Sequence, residues 1–131
     1  MLTFGPDGIT GHLDHQTVSA WTTAAFELSA PPGARLLHAT VAERRASRWS
    51  ELSKSLGIYA SGYPITTPAH RLAVDLVLDT ETAARKVRAL TAQETQTGVL
   101  ITAMGMDRYT AWVGDEAFTE WSRRPAAIMI G

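Results

Sequence analysis

Proline holds φ at about −65° and removes a backbone donor. This sequence spends it in two tight clusters, Pro31-Pro32-Gly33 and Tyr63-Pro64-Ile65-Thr66-Thr67-Pro68. Both must be connections between regular elements, and neither is long enough to link separate domains, so residues 1–131 read as a single domain. What holds that domain together is constrained by the absence of cysteine. Disulfide scaffolds, thiolate zinc clusters, cysteine-held iron–sulfur centres and cysteine nucleophiles are all excluded. Apolar burial has to do the work, and with 45% apolar residues it can. A chain of this size hides roughly two-thirds of the surface its unfolded form exposes. A formal charge of −1 argues against a surface tuned as a whole to nucleic acid or to an anionic membrane. The longest apolar run is about five residues, too short to cross a bilayer or to form a signal peptide. Neither a membrane nor a secretory route is therefore expected, and an intracellular or assembly protein is.

Gly5-Pro6-Asp7-Gly8 is a turn signature between Leu2-Thr3-Phe4 and Ile9. Between Thr17 and Leu28 the apolar residues Val18, Ala20, Ala24, Phe26 and Leu28 fall on even positions, which predicts a strand. The spacing of Val18, Trp21, Ala25 and Leu28 also fits a helical face; the Thr22-Thr23 pair and the lack of clear caps favour the strand. Leu37, Ala39 and Val41 alternate with His38 and Thr40, a second strand able to pair with the first. From Glu43 to Leu56 the period changes, with Arg45, Trp49, Leu52 and Leu56 spaced four, three and four ahead of Gly57. A short amphipathic helix is expected there, with a polar hairpin as the alternative because of its serines. Leu72, Val74, Leu76 and Leu78 mark one face of a strand, and Asp79 caps a helix whose Ala83, Val87 and Leu90 should pack on that strand. Two more strands are predicted, at Val99–Ala103 and at Tyr109–Val113, with Gly105-Met106-Asp107 as the turn between them. The fold class expected is thus α+β and β-rich, an antiparallel sandwich or sheet with one or two flanking helices.

No motif of established chemistry appears. His12-Leu13-Asp14-His15 places two imidazoles three apart, but nothing in the spacing selects a third ligand, so no metal and no cofactor is expected. There is no Gly-x-Ser-x-Gly elbow and no phosphate-binding glycine pattern, and no catalytic residue is assigned. The acids Asp107, Asp115, Glu116 and Glu120 read as solvated residues scattered over turns. Between Arg35 and Lys54 five cations outnumber two acids, and Trp49 sits among them. Arg44, Arg45, Arg48 and Trp49 are therefore candidate interface residues, together with Ile128, Met129 and Ile130 in an apolar C-terminal run that should be covered by something.

The order from Arg71 to Val113 is a strand ending in aspartate (Arg71 to Asp79), a helix (Thr82 to Leu90), then Val99-Leu100-Ile101-Thr102 and Asp107-Arg108-Tyr109-Thr110-Ala111-Trp112-Val113. This resembles the tail-tube and distal-tail group of long-tailed bacteriophage structural proteins, especially minor tail proteins of actinobacterial phages. The resemblance covers about a third of the chain and implies a β-sandwich with one flanking helix, assembled into symmetric rings without catalysis. On that basis the expected function is a structural assembly protein, a tail or neck component that forms homo-oligomers and contacts other structural proteins, and not an enzyme. Two alternatives stand beside it. One is a small α+β enzyme or ligand-binding domain with a pocket lined by Trp21, Trp112 and Tyr109. The other is a nucleic-acid-binding module using the Arg35 to Lys54 stretch.

Overall fold

A computed structural model describes residues 1–122. Its elements in chain order are β1 (Leu2–Phe4), α1 (Leu13–Ser29), β2 (Leu37–Ala39), β3 (Val41–Ala42), α2 (Glu43–Ser55), β4 (Thr66–Thr67), β5 (Val74–Val77), α3 (Thr80–Thr91), α4 (Glu94–Met104), α5 (Met106–Val113) and β6 (Asp115–Glu120), with a 3-10 turn at Ala69–Arg71 before β5. Helices take 52% of the described residues and strands about 16%, which overturns the β-rich sandwich expected from sequence. The α+β class stands, with the balance reversed.

Three segments predicted as strands are helices, and side-chain hydroxyls explain much of the difference. In α1, Thr17, Thr23 and Ser29 each donate to the carbonyl four residues earlier, to Leu13, Ser19 and Ala25, at 2.8 Å. In α4, Thr97 donates to Gln93 O and to Leu90 O, and in α5 Thr110 donates to Met106 O. A hydroxyl satisfied by its own helix no longer competes with the backbone ladder, so a threonine-rich stretch can stay helical. Val99 to Ala103 therefore lies within α4, and Tyr109 to Val113 within α5. Gly105, at φ 78°, ends one helix and starts the other. The strand, helix, strand, turn, strand order behind the phage-tail resemblance is accordingly strand, helix, helix, helix.

Other expectations hold. α2 follows the spacing of Arg45, Trp49, Leu52 and Leu56, with Glu43 in its first turn and Lys54 in its last, both favourable to the helix dipole. It is a helix, not a hairpin. The Asp79 carboxylate caps α3 by accepting from the Thr82 backbone N–H at 2.8 Å.

The main sheet is mixed, in the order β1-β2-β6-β5. β1 runs parallel to β2, with Leu2 opposite Leu37, and β6 is antiparallel to both its neighbours, with Phe118 opposite Ala39 on one side and Val74 on the other. A separate parallel pair sets Val41 opposite Thr66 in β3 and β4. The expected second strand is thus divided at Thr40 between two sheets, and its partners are not the segment that became α1.

The principal core lies among helices. Val87 of α3 packs with Met104, Tyr109 and Val113, and Leu52 of α2 and Leu56 at its C-terminal cap close over them. The α3 stripe therefore faces α4 and α5, not the sheet face that the sequence suggested. α1 packs against β1 in the opposite sense to an ordinary surface helix. Its inward residues are His15, Gln16, Ser19, Thr22, Thr23 and Phe26, whereas Leu13, Val18, Trp21 and Leu28 are exposed. Trp21 is 73% exposed and Leu28 88%.

Candidate functional site

The residues carrying chemistry converge where α2 faces the loop after it and the end of α5. There lies a cavity of about 350 Å³. Its aromatic walls are Trp49 from α2, Tyr59 and Tyr63 from the loop and Trp112 from α5, with Pro64 beside them; Arg45 and Lys54 bring positive charge, Ser50, Ser53 and Thr66 bring hydroxyls, and no carboxylate lines it. The spacing of α2 explains its share. Arg45, Trp49 and Ser53 are four apart and lie on one helical face, while Leu52 and Leu56 on the adjoining face enter the core. Tyr63 is set by two other contacts. The Gln16 amide donates to its hydroxyl at 3.3 Å, and Gly11, at φ 83°, leaves room for the ring. A Cβ at Gly11 would come within 2.7 Å of Tyr63 Cδ2, so any side chain there would push the ring out of place. The Tyr63–Pro64 peptide is cis.

Arg45 is held by Trp112. Its guanidinium carbon lies 4.9 Å from the centre of the indole and its Nη2 donates to the Trp112 carbonyl at 2.9 Å. No acid pairs with it among the described residues. Arg48 sits over Trp49 at the same 4.9 Å. Among the described residues, three buried N–H groups of the cavity's residues have no acceptor: Arg45 Nε, Trp49 Nε1 and Trp112 Nε1. All three are closed off from solvent, so an acceptor reaches them only when the side chains turn. Burial pushes the Tyr59 hydroxyl above its ordinary pKa of 10.0, while the charge of Arg45 pulls the other way. Tyr59 is thus a neutral donor at physiological pH.

The structure sorts the sequence candidates. Arg45 and Trp49 meet at the cavity and Trp112 joins them, but Tyr109 is buried in the helical core and Trp21 stands on the exposed face of α1. Arg44 turns to the sheet, where it binds Asp75 of β5 and reaches Asp115 of β6 at 2.8 Å. Arg44 holds the Asp75 carboxyl below the ordinary range. Arg35 forms a bidentate pair with Glu120, both bonds 2.8 Å. Lys54 lies 3.6 Å from Glu51. Three cations of the Arg35 to Lys54 stretch thus already have acidic neighbours, which leaves a small basic footprint. The acids expected to be solvated lie mostly on β6: Asp115 is buried, Glu116 pairs with Lys86, and Glu120 with Arg35. Ile128, Met129 and Ile130 fall outside the described residues.

The histidine pair is drawn into the N-terminal turn. His15 stacks on Phe4 at 4.2 Å, and its Nδ1 lies 3.1 Å from Gly8 O and 3.2 Å from Thr10 Oγ1. Among the described residues no group of three His, Asp or Glu side chains is placed to hold a metal ion. No helix among them is long and apolar enough to cross a membrane. Tyr59 and Tyr63 escaped the sequence reading because a proline-rich loop has no periodicity to flag its side chains; two tyrosines flanking the turn Ala60-Ser61-Gly62 were the available signal. Comparison with protein families, with curated proteins and with solved structures finds no match for this chain.

Proposed function

We propose that this chain is a binding module for a small organic molecule seated between α2, the Tyr59–Thr66 loop and Trp112. One observation carries the reading: a half-buried arginine that no acid pairs with among the described residues faces a cavity walled by four aromatic rings. Ligand sites combine apolar walls with a few convergent polar groups in about 300–1,000 Å³, and this cavity fits at the lower end. Among the described residues neither histidine nor a carboxylate lines it, and binding is the activity proposed. The test is a thermal-shift and tryptophan-fluorescence screen of one- and two-ring compounds against the wild type and against Ser50→Trp, which fills the cavity. Compounds at saturating concentration should raise the melting temperature of the wild type alone. A screen in which nothing stabilises the wild type more than Ser50→Trp refutes the reading.

A second reading, assembly through α1, is favoured by the outward stripe Val18, Trp21, Ala25 and Leu28. The occupant we propose is the same stripe of a second copy, because a two-fold axis through it sets the large Trp21 of each chain against the small Ala25 of the other. Light scattering of the full chain and of Trp21→Ser tests this. A dimer lost in the variant supports it, and a full chain that stays monomeric at high concentration overturns it.

A further inference from the structure

We infer that the ligand of this cavity is a flat aromatic monoanion, a one- or two-ring compound bearing a single carboxylate. The inference rests on the small-molecule reading above and adds the ligand's chemistry. The walls require the ring. Trp49, Tyr59 and Trp112 line the cavity with aromatic rings, against which a planar group gains contact area with little loss of torsional freedom. Arg45 requires the charge. A partly desolvated guanidinium is stabilised by an anion, and among the described residues none supplies one.

Charge number selects carboxylate over phosphate. Arg45 already gives one of its five N–H donors to the Trp112 carbonyl, and the remaining donors are left for an anion. A phosphate monoester carries about −1.5 to −2 at neutral pH and would leave charge uncompensated against Arg45, because Lys54, the other cation of the lining, is exposed and lies 3.6 Å from Glu51. A carboxylate balances it one to one. Its second oxygen is placed among donors that lack acceptors, the Nε of Arg45 and the indole N–H of Trp112, once those side chains turn toward it.

The experiment compares 2-naphthoate, 2-naphthamide and 2-naphthyl phosphate by calorimetric titration of the full chain. Naphthoate should bind at least about tenfold more tightly than the amide, the ratio expected when a charged hydrogen bond replaces a neutral one. The preference should fall to within about threefold in Arg45→Gln and persist in Arg85→Gln, on α3 and outside the cavity lining. Circular dichroism establishes that Arg45→Gln is folded, and Arg45→Lys, which keeps the charge without the fork, should retain part of the preference. Equal binding of acid and amide, or tighter binding of the phosphate, overturns the ligand class while leaving the site. Absence of binding by all three, together with a negative ring-compound screen, overturns both.

Discussion

α3 buries an apolar stripe, whereas α1 leaves most of its large apolar residues outside. α3 turns Ala83 and Val87 into the helical core and leaves Arg85 and Arg88 in water. α1 turns Ser19, Thr23 and His15 inward and leaves Trp21 and Leu28 in water. The 3.6-residue period identifies a helix and divides its faces, but which face is buried is decided by what lies opposite. Opposite α3 are Met104, Tyr109 and Val113. Opposite α1, beside the rings of Phe4 and Trp121, are the carbonyls of Asp7 and Gly8 and also His38, whose Nε2 lies 3.1 Å from Thr23 Oγ1, so hydroxyls and amides have partners on that side.

The largest effect should come from Val87→Asp. It places an unpaired carboxylate in the helical core and should destabilise by more than about 4 kcal/mol, read as failure to give a cooperative melt. Met104→Ala removes contacts from the same cluster and should cost about 2–3 kcal/mol in urea unfolding. A change below about 0.5 kcal/mol there would mean that α3 to α5 do not form the principal core.

The polar interior of α1 should show itself through pH. Burial lowers the His38 pKa from its ordinary 6.5, with the charge of Asp7 opposing. The unfolded chain therefore takes up the proton first. The contribution from His38 is complete above pH 6.5 and declines as the pH falls through the folded value, and His38→Gln should flatten this part of the profile. A profile unaltered by that substitution would break the picture of a buried neutral imidazole beneath α1. The smallest effect belongs to the outer face of α1. Trp21→Ser should change monomer stability in dilute buffer by less than about 0.5 kcal/mol. A loss as large as that of Met104→Ala would mean that this face is covered within the monomer, and the contrast between the helices would disappear.

Legibility from sequence followed how each element secures its hydrogen bonds. α2 and α3 were readable because their signals are local: a four-three-four spacing before Gly57, and an aspartate three residues ahead of the N–H it accepts. α1, α4 and α5 were not. Threonine pairs and the run Val99-Leu100-Ile101-Thr102 carry strand propensity, and only hydroxyl bonds to the preceding turn and contacts across α3, α4 and α5 turn the balance. β6 was missed for a related reason. Its Asp115 and Glu116 look solvated until Arg44 and Lys86, from distant parts of the chain, neutralise them. Arg45, Trp49 and Trp112 could each be singled out from sequence, but their meeting depends on how α5 lies against α2. The stacking of Arg45 on Trp112 has no counterpart in residue spacing.

The division of one extended run at Thr40 sets the rotational phase of α2. Ala39 is locked opposite Phe118 in the main sheet, and two residues later Val41 is locked opposite Thr66 in the small one. Thr40 itself is pinned from both sides, its N–H to Ala117 O at 3.0 Å and its hydroxyl 2.7 Å from that of Thr67. α2 begins directly after Ala42, with no loop to absorb a slip. Removing or adding one residue at this junction would turn every α2 side chain by about 100° around the helix axis. Arg45 and Trp49 would then leave the cavity while Leu52 and Leu56 left the core, so the length of this strand is itself a determinant of the binding site.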